Sequence, residues 1–145
     1  MNLRFLTLLA VLTLSACDMD GSITFPGTYT LTEVEEHSLP AHLHTLPGTP
    51  PKELYVTEGS IRLDEDGDYY VAFMLETQEG GTVTAEDRWS DSGAFIRVNR
   101  ALSFSSRKHN GLKYAGVLHE DGILIDHDLS SLLGTDVSKR FDYEE

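Results

Sequence analysis

Ile61-Arg-Leu-Asp-Glu-Asp-Gly-Asp-Tyr-Tyr-Val-Ala-Phe-Met-Leu75 is the stretch on which the fold turns. Ile61 and Leu63 alternate with Arg62 and Asp64, the period-two pattern of a strand with one buried face. After Glu65-Asp-Gly-Asp68 the chain resumes as Tyr69 to Leu75, with Tyr69, Val71, Phe73 and Leu75 on one side and Tyr70, Ala72 and Met74 on the other. Gly67 supplies the positive φ that a tight turn demands, so the stretch reads as an antiparallel hairpin.

The same grammar extends both ways. Upstream, Tyr29 and Leu31 alternate with Thr28, Thr30 and Thr32. Downstream, Glu79-Gly-Gly81 turns into Thr82 to Trp89, and Asp91-Ser-Gly93 turns into Ala94 to Val98. Leu102 to Arg107 follows, then His109-Asn-Gly111 turns into Leu112 to Leu118, Glu120-Asp-Gly122 turns into Ile123 to Asp126, and Arg140 to Tyr143 ends the series. Eight or nine short strands in a meander must close or leave a long unpaired edge, and closure removes both edges. The expectation is an all-β protein: an antiparallel up-and-down meander closing into a barrel of about eight strands. One helical turn is expected at 128–133, with Asp128 capping its first amides and Gly134 ending it. Leu39 to Pro51 holds four of the five prolines and is expected to be irregular, neither helix nor strand interior.

The N-terminal residues carry a different signal. Met1-Asn-Leu-Arg4 precedes an apolar run from Phe5 to Leu14, too short to span about 30 Å of hydrocarbon as a permanent helix, and Leu14-Ser-Ala-Cys17 follows. Leu-Ser-Ala-Cys resembles the lipobox of bacterial lipoproteins. The resemblance implies a signal peptide at 1–16, cleavage before Cys17, and diacylglycerol with an N-acyl chain such as palmitate on that residue. Two or three chains anchor durably where one binds only marginally. Cys17 is the only cysteine, so no intramolecular disulfide is possible, and lipidation accounts for it. The division that follows is a leader at 1–16, a lipidated Cys and tether at 17–24, and a domain at 25–145. The location is the bacterial cell envelope, periplasm-facing in a Gram-negative cell, with Asp18 leaning slightly toward inner-membrane retention and the choice of inner or outer membrane open.

Gly27-Thr-Tyr-Thr-Leu-Thr-Glu-Val34 with Leu39-Pro40, the Gly59 to Tyr69 hairpin, Trp89-Ser-Asp-Ser-Gly93 and Arg140-Phe-Asp-Tyr143 together resemble small bacterial lipocalin-like domains. The chain departs from that pattern at Arg88, with no glycine two residues before Trp89. The resemblance implies an eight-stranded barrel with an apolar cavity for a small ligand or lipid, lined by Tyr69, Val71, Phe73, Leu75 and Trp89. The alternative is a solid barrel that docks another envelope component through an apolar or acidic face.

Charge narrows the partners. Without the leader the chain carries 10 basic and 24 acidic residues, a net charge of −14. Such acidity disfavours nucleic acid and repels anionic headgroups, so the domain is expected to stand off the membrane on its tether. His37, His42 and His44 crowd one segment beside Glu35 and Glu36, a lesser alternative in which imidazoles hold a metal ion. Asp64, Asp66 and Asp68 do not make a calcium loop, because Gly67 is fourth and Leu75 twelfth where an EF-hand needs Gly sixth and Glu twelfth. No G-x-S-x-G, H-E-x-x-H, C-x-x-C or phosphate-cradling loop is present, and a protein without catalytic residues is expected.

Overall fold

The structure is a computed structural model that describes residues 26–145; the leader, Cys17 and the tether lie outside the described residues. Ten strands are formed: β1 (Gly27–Val34), β2 (His37–Ser38), β3 (Ala41–Leu46), β4 (Lys52–Leu63), β5 (Asp68–Glu79), β6 (Thr82–Val98), β7 (Ala101–Ser106), β8 (Lys113–Leu118), β9 (Gly122–Asp128) and β10 (Ser138–Glu144). A single helical turn, α1 (Ser130–Leu133), lies between the last two. Its Ser130 amide donates to Asp128 Oδ1 at 2.8 Å, and Gly134 ends it in the left-handed region at φ 67°.

Eight strands close an antiparallel barrel in the order β1-β10-β9-β8-β7-β6-β5-β4, with β4 returning to β1. The closing contact is short, running from Gly27 opposite Leu63 to Thr30 opposite Ser60. The founding hairpin pairs Ile61 with Val71 and Leu63 with Tyr69, so both apolar stripes face inward together. All of Tyr29, Phe73, Phe104, Phe141 and Tyr143 are fully buried, with Ile61, Leu63, Ile123 and Ile125 around them. Burying each such side chain contributes about 1.5–3 kcal/mol before ordering entropy is subtracted. The barrel therefore has a packed aromatic interior.

The strands differ from expectation in three places. Ala41–Leu46 is a strand although it lies inside the proline-rich segment. Its six residues contain no proline, the prolines flank it at 40, 47, 50 and 51, and it sits at the outer edge of the sheet, pairing only with Lys52–Val56. Its Ala41 and Leu43 join the core cluster. β4 is correspondingly longer than the sequence pattern suggests: its first half pairs with β3 and its second half with β1.

The third difference concerns Asp91-Ser-Gly93, which is no turn but the middle of a 17-residue β6. Gly93 is required there for closeness rather than bending, since a Cβ at that position would overlap the Ser105 carbonyl oxygen of β7. Gly93→Ala is expected to force these strands apart and to destabilise the domain by about 1–3 kcal/mol, read as a fall in the urea midpoint with an unchanged slope.

Candidate functional site

β4 changes partners in mid-strand, and the exchange opens the barrel wall. A bulge between Val56 and Glu58 leaves Thr57 unpaired in the ladder, just where β3 ends and before β1 begins at Ser60. Gly59 follows, and no side chain fits at it: a Cβ would lie 2.8 Å from Leu31 Cδ2 and 3.0 Å from Phe73 Cδ1. The notch between β1, Leu39 and the β4–β5–β6 sheet has a volume of about 450 Å³. Its apolar lining comes from Leu31, Leu39, Ala72, Phe73 and Met74. Thr30, Thr57, Glu58, Ser60 and Arg88 supply its polar groups, and the Arg88 guanidinium donates to Tyr70 Oη at 3.2 Å. Chemically, such a lining can complement an apolar chain with a polar end.

Of the five residues expected to line a cavity, only Phe73 reaches this one. Tyr69, Val71, Leu75 and Trp89 are buried in the packed interior. Trp89 stacks on Phe73 with ring centres 5.1 Å apart, and His109 stacks on Trp89 at 5.5 Å. Phe73 is thus the innermost wall of the notch and part of the barrel's aromatic column.

The interior also holds a polar centre that the sequence pattern conceals. Asp91 is fully buried and accepts from Tyr69 Oη at 2.7 Å, Tyr114 Oη at 2.9 Å and Ser106 Oγ at 2.5 Å. Ser106 Oγ in turn accepts from the His109 amide at 2.7 Å, so the β7–β8 turn is tied to the same carboxyl group. Burial first, then the neighbouring Asp91 carboxyl, holds the Tyr69 hydroxyl well above the ordinary phenol range; burial does the same for Tyr114. Both phenols stay protonated and donating.

Across the interior, His127 is fully buried with Nε2 2.8 Å from Tyr143 Oη. Burial alone lowers its pKa to about 3, so the ring is neutral at physiological pH. Its Nδ1 and the Trp89 Nε1 are buried with no hydrogen-bond partner among the described residues. The buried Asp91 cluster lies within the aromatic core.

The histidines at 37, 42 and 44 are not gathered into one group. His42 is exposed and His44 half-buried on either side of the buried Leu43, with a bulge between them in the β3–β4 ladder. His42 Nε2 lies 3.0 Å from Thr45 Oγ1 and its ring packs edge-on to Tyr55, whereas His37 Nδ1 lies 2.7 Å from the Glu35 carbonyl oxygen. Among the described residues no three of His, Cys, Asp and Glu are placed to hold a metal ion.

The outside of the wall is uneven. On β6, β7 and β8 the outward positions past the middle of the barrel are Ile96, Val98, Ala101, Ser103, Ala115 and Val117, and cross-strand pairing sets them side by side. Ile96 is 68% exposed, Val98 65% and Val117 51%. No helix among the described residues is long and apolar enough to cross a membrane. No protein-family model, curated protein or solved structure matches the chain.

Proposed function

We propose that the chain is a bacterial lipoprotein, held to an envelope membrane through acyl chains on Cys17, whose lipocalin-like barrel is a non-catalytic binding module for a small amphiphile. The observation that carries the binding reading is the notch: apolar on Leu31, Leu39, Phe73 and Met74, with Arg88 and Glu58 among its polar lining. Its location differs from a ligand enclosed in the barrel, because the aromatic interior occupies that space. An eight-stranded barrel has room for side chains or for one small ligand, and here side chains take it. The anchor reading is supported by Leu14-Ser-Ala-Cys17 and the lone cysteine.

The test uses the full chain with Cys17→Ser, so that a bilayer does not compete for the probe, and a fluorescent long-chain fatty acid as ligand. Binding is expected in the parent. Arg88→Glu is expected to weaken it about tenfold or more, equivalent to about 1.4 kcal/mol, and Ser60→Trp to abolish it by filling the notch. Both positions are outside the packed interior, so the strand circular dichroism should be unchanged. Equal affinity in all three proteins, or none in the parent, would overturn the notch. The anchor is checked separately by mass: the mature wild-type N-terminus should be Cys17 carrying diacylglycerol and an N-acyl chain.

A further inference from the structure

We infer that the outer face of β6, β7 and β8 lies flat against the lipid surface to which Cys17 is anchored, so that the barrel rests on its side rather than standing off on its tether as net charge alone suggests; this rests on the lipoprotein reading above. In a chain with 24 acidic residues, the six neighbouring outward positions Ile96, Val98, Ala101, Ser103, Ala115 and Val117 carry no charge at all. Three of them are large apolar side chains more than half exposed. A domain of net charge −14 is repelled by anionic headgroups over most of its surface, and an uncharged apolar wall is where that repulsion is weakest and apolar burial is gained.

The path of the chain selects the lipid surface over other occupants. The described chain enters the barrel at Gly27, at the rim where β4, β6, β8 and β10 end and β7 and β9 begin. Val98, Ala101 and Val117 lie at that same rim. From β1 to β8 is three strand spacings around the wall, about 14 Å, and the ten residues from Cys17 to Pro26 reach about 30 Å when extended. The anchor can therefore lie beneath this face without strain. Tilt follows from charge: the turns on either side carry Glu65 and Asp66, and Glu120 and Asp121, which hold the rim itself away from headgroups. Only the wall between them can settle.

The lipidated mature protein offers a direct test, because acylation of Cys17 leaves an introduced cysteine as the one free thiol. Val98→Cys, and as control Arg62→Cys on the outside of β4, three strands around the wall from β7 and off the proposed face, are labelled with the fluorophore NBD. Each is reconstituted into phosphatidylcholine–phosphatidylglycerol vesicles with and without nitroxide-bearing lipid. At position 98 the emission should shift to the blue, and the nitroxide lipid should quench it at least threefold more than at position 62. Equal quenching at both positions in vesicle-bound protein would overturn the docking and leave the anchor standing. A blue shift at 98 without lipid quenching would also overturn it, in favour of a protein partner or a second copy. Two labels per chain with the protein left in the supernatant would instead defeat the Cys17 reading, and the docking with it.

Discussion

Asp91→Ala is expected to lower the thermal unfolding midpoint by about 10–20 °C. The substitution removes the common acceptor of the Tyr69, Tyr114 and Ser106 hydroxyls, all within 2.9 Å of it. Phe104 packs against both tyrosine rings at about 5 Å, which leaves the two phenols in largely apolar surroundings, whereas Ser106 is only part-buried. A buried hydroxyl left without a partner costs about 1–3 kcal/mol. The two buried phenols and the part-buried Ser106 hydroxyl, not fully additive, amount to about 3–5 kcal/mol in a domain whose whole stability is of order 5–15 kcal/mol. At this size each kcal/mol moves the midpoint by a few degrees. Asp91→Asn retains one acceptor oxygen and should cost less than half as much. Thermal circular dichroism decides the matter, and a shift below about 3 °C for the alanine variant would show that the hydroxyls satisfy themselves elsewhere.

His127 should make the domain progressively less stable in mild acid. Its unfolded pKa is near 6.5 and burial in the fold lowers it to about 3, so between those values the unfolded chain holds one more proton than the native one. The native state is therefore favoured fully above about pH 6.5 and loses up to about 1.4 kcal/mol per pH unit as the pH falls toward 3. The rings against His127 are those of Phe73, Tyr114, Phe141 and Tyr143, and none of them is a cation or a carboxylate that could offset the proton. His127→Phe should remove this component of the slope. It should also impose a pH-independent loss of about 1–3 kcal/mol, because Tyr143 Oη forfeits its partner. Urea unfolding at pH 7.5, 6, 5 and 4 compares the two proteins; parallel curves would refute the assignment.

The closed barrel was legible because it is a property of repeated local patterns. Alternation in Ile61–Leu75 and glycine at 67, 81, 111 and 122 set strand, turn and strand again, and a long meander has few ways to hide its edges. What alternation cannot convey is which polar residue faces inward. Asp91-Ser-Gly93 has the composition of a turn, yet Asp91 shares the inward parity of Trp89 and Phe95, and three hydroxyls from β5, β7 and β8 make its burial tolerable. The one available clue was Tyr69 and Tyr114 occupying inward positions with polar tips that need partners. β3 was obscured for a related reason. Proline marks where a strand cannot be central, and four prolines around Ala41–Leu46 concealed an edge strand that donates little to its outer side.

The candidate site was the least legible part. Its notch exists because β4 exchanges partners at a one-residue bulge, and register is a long-range outcome of β1, β3 and β5 together. Phe73 was identified as a lining residue and Met74 is its neighbour on β5, whereas Leu31, Leu39 and Arg88 come from other strands and a connection that the folded wall brings near it.

The ladder joining the first and last barrel strands, in which Leu31 stands opposite Tyr143, bears on how such a chain is made. While β10 is still in the ribosomal tunnel, β1 lacks one of its two flanking partners, and the barrel cannot shut. A polypeptide built this way stays loose until synthesis is finished, a form that a secretion pore can thread. On the lipoprotein reading proposed above, shape would then be acquired on the far side of the membrane.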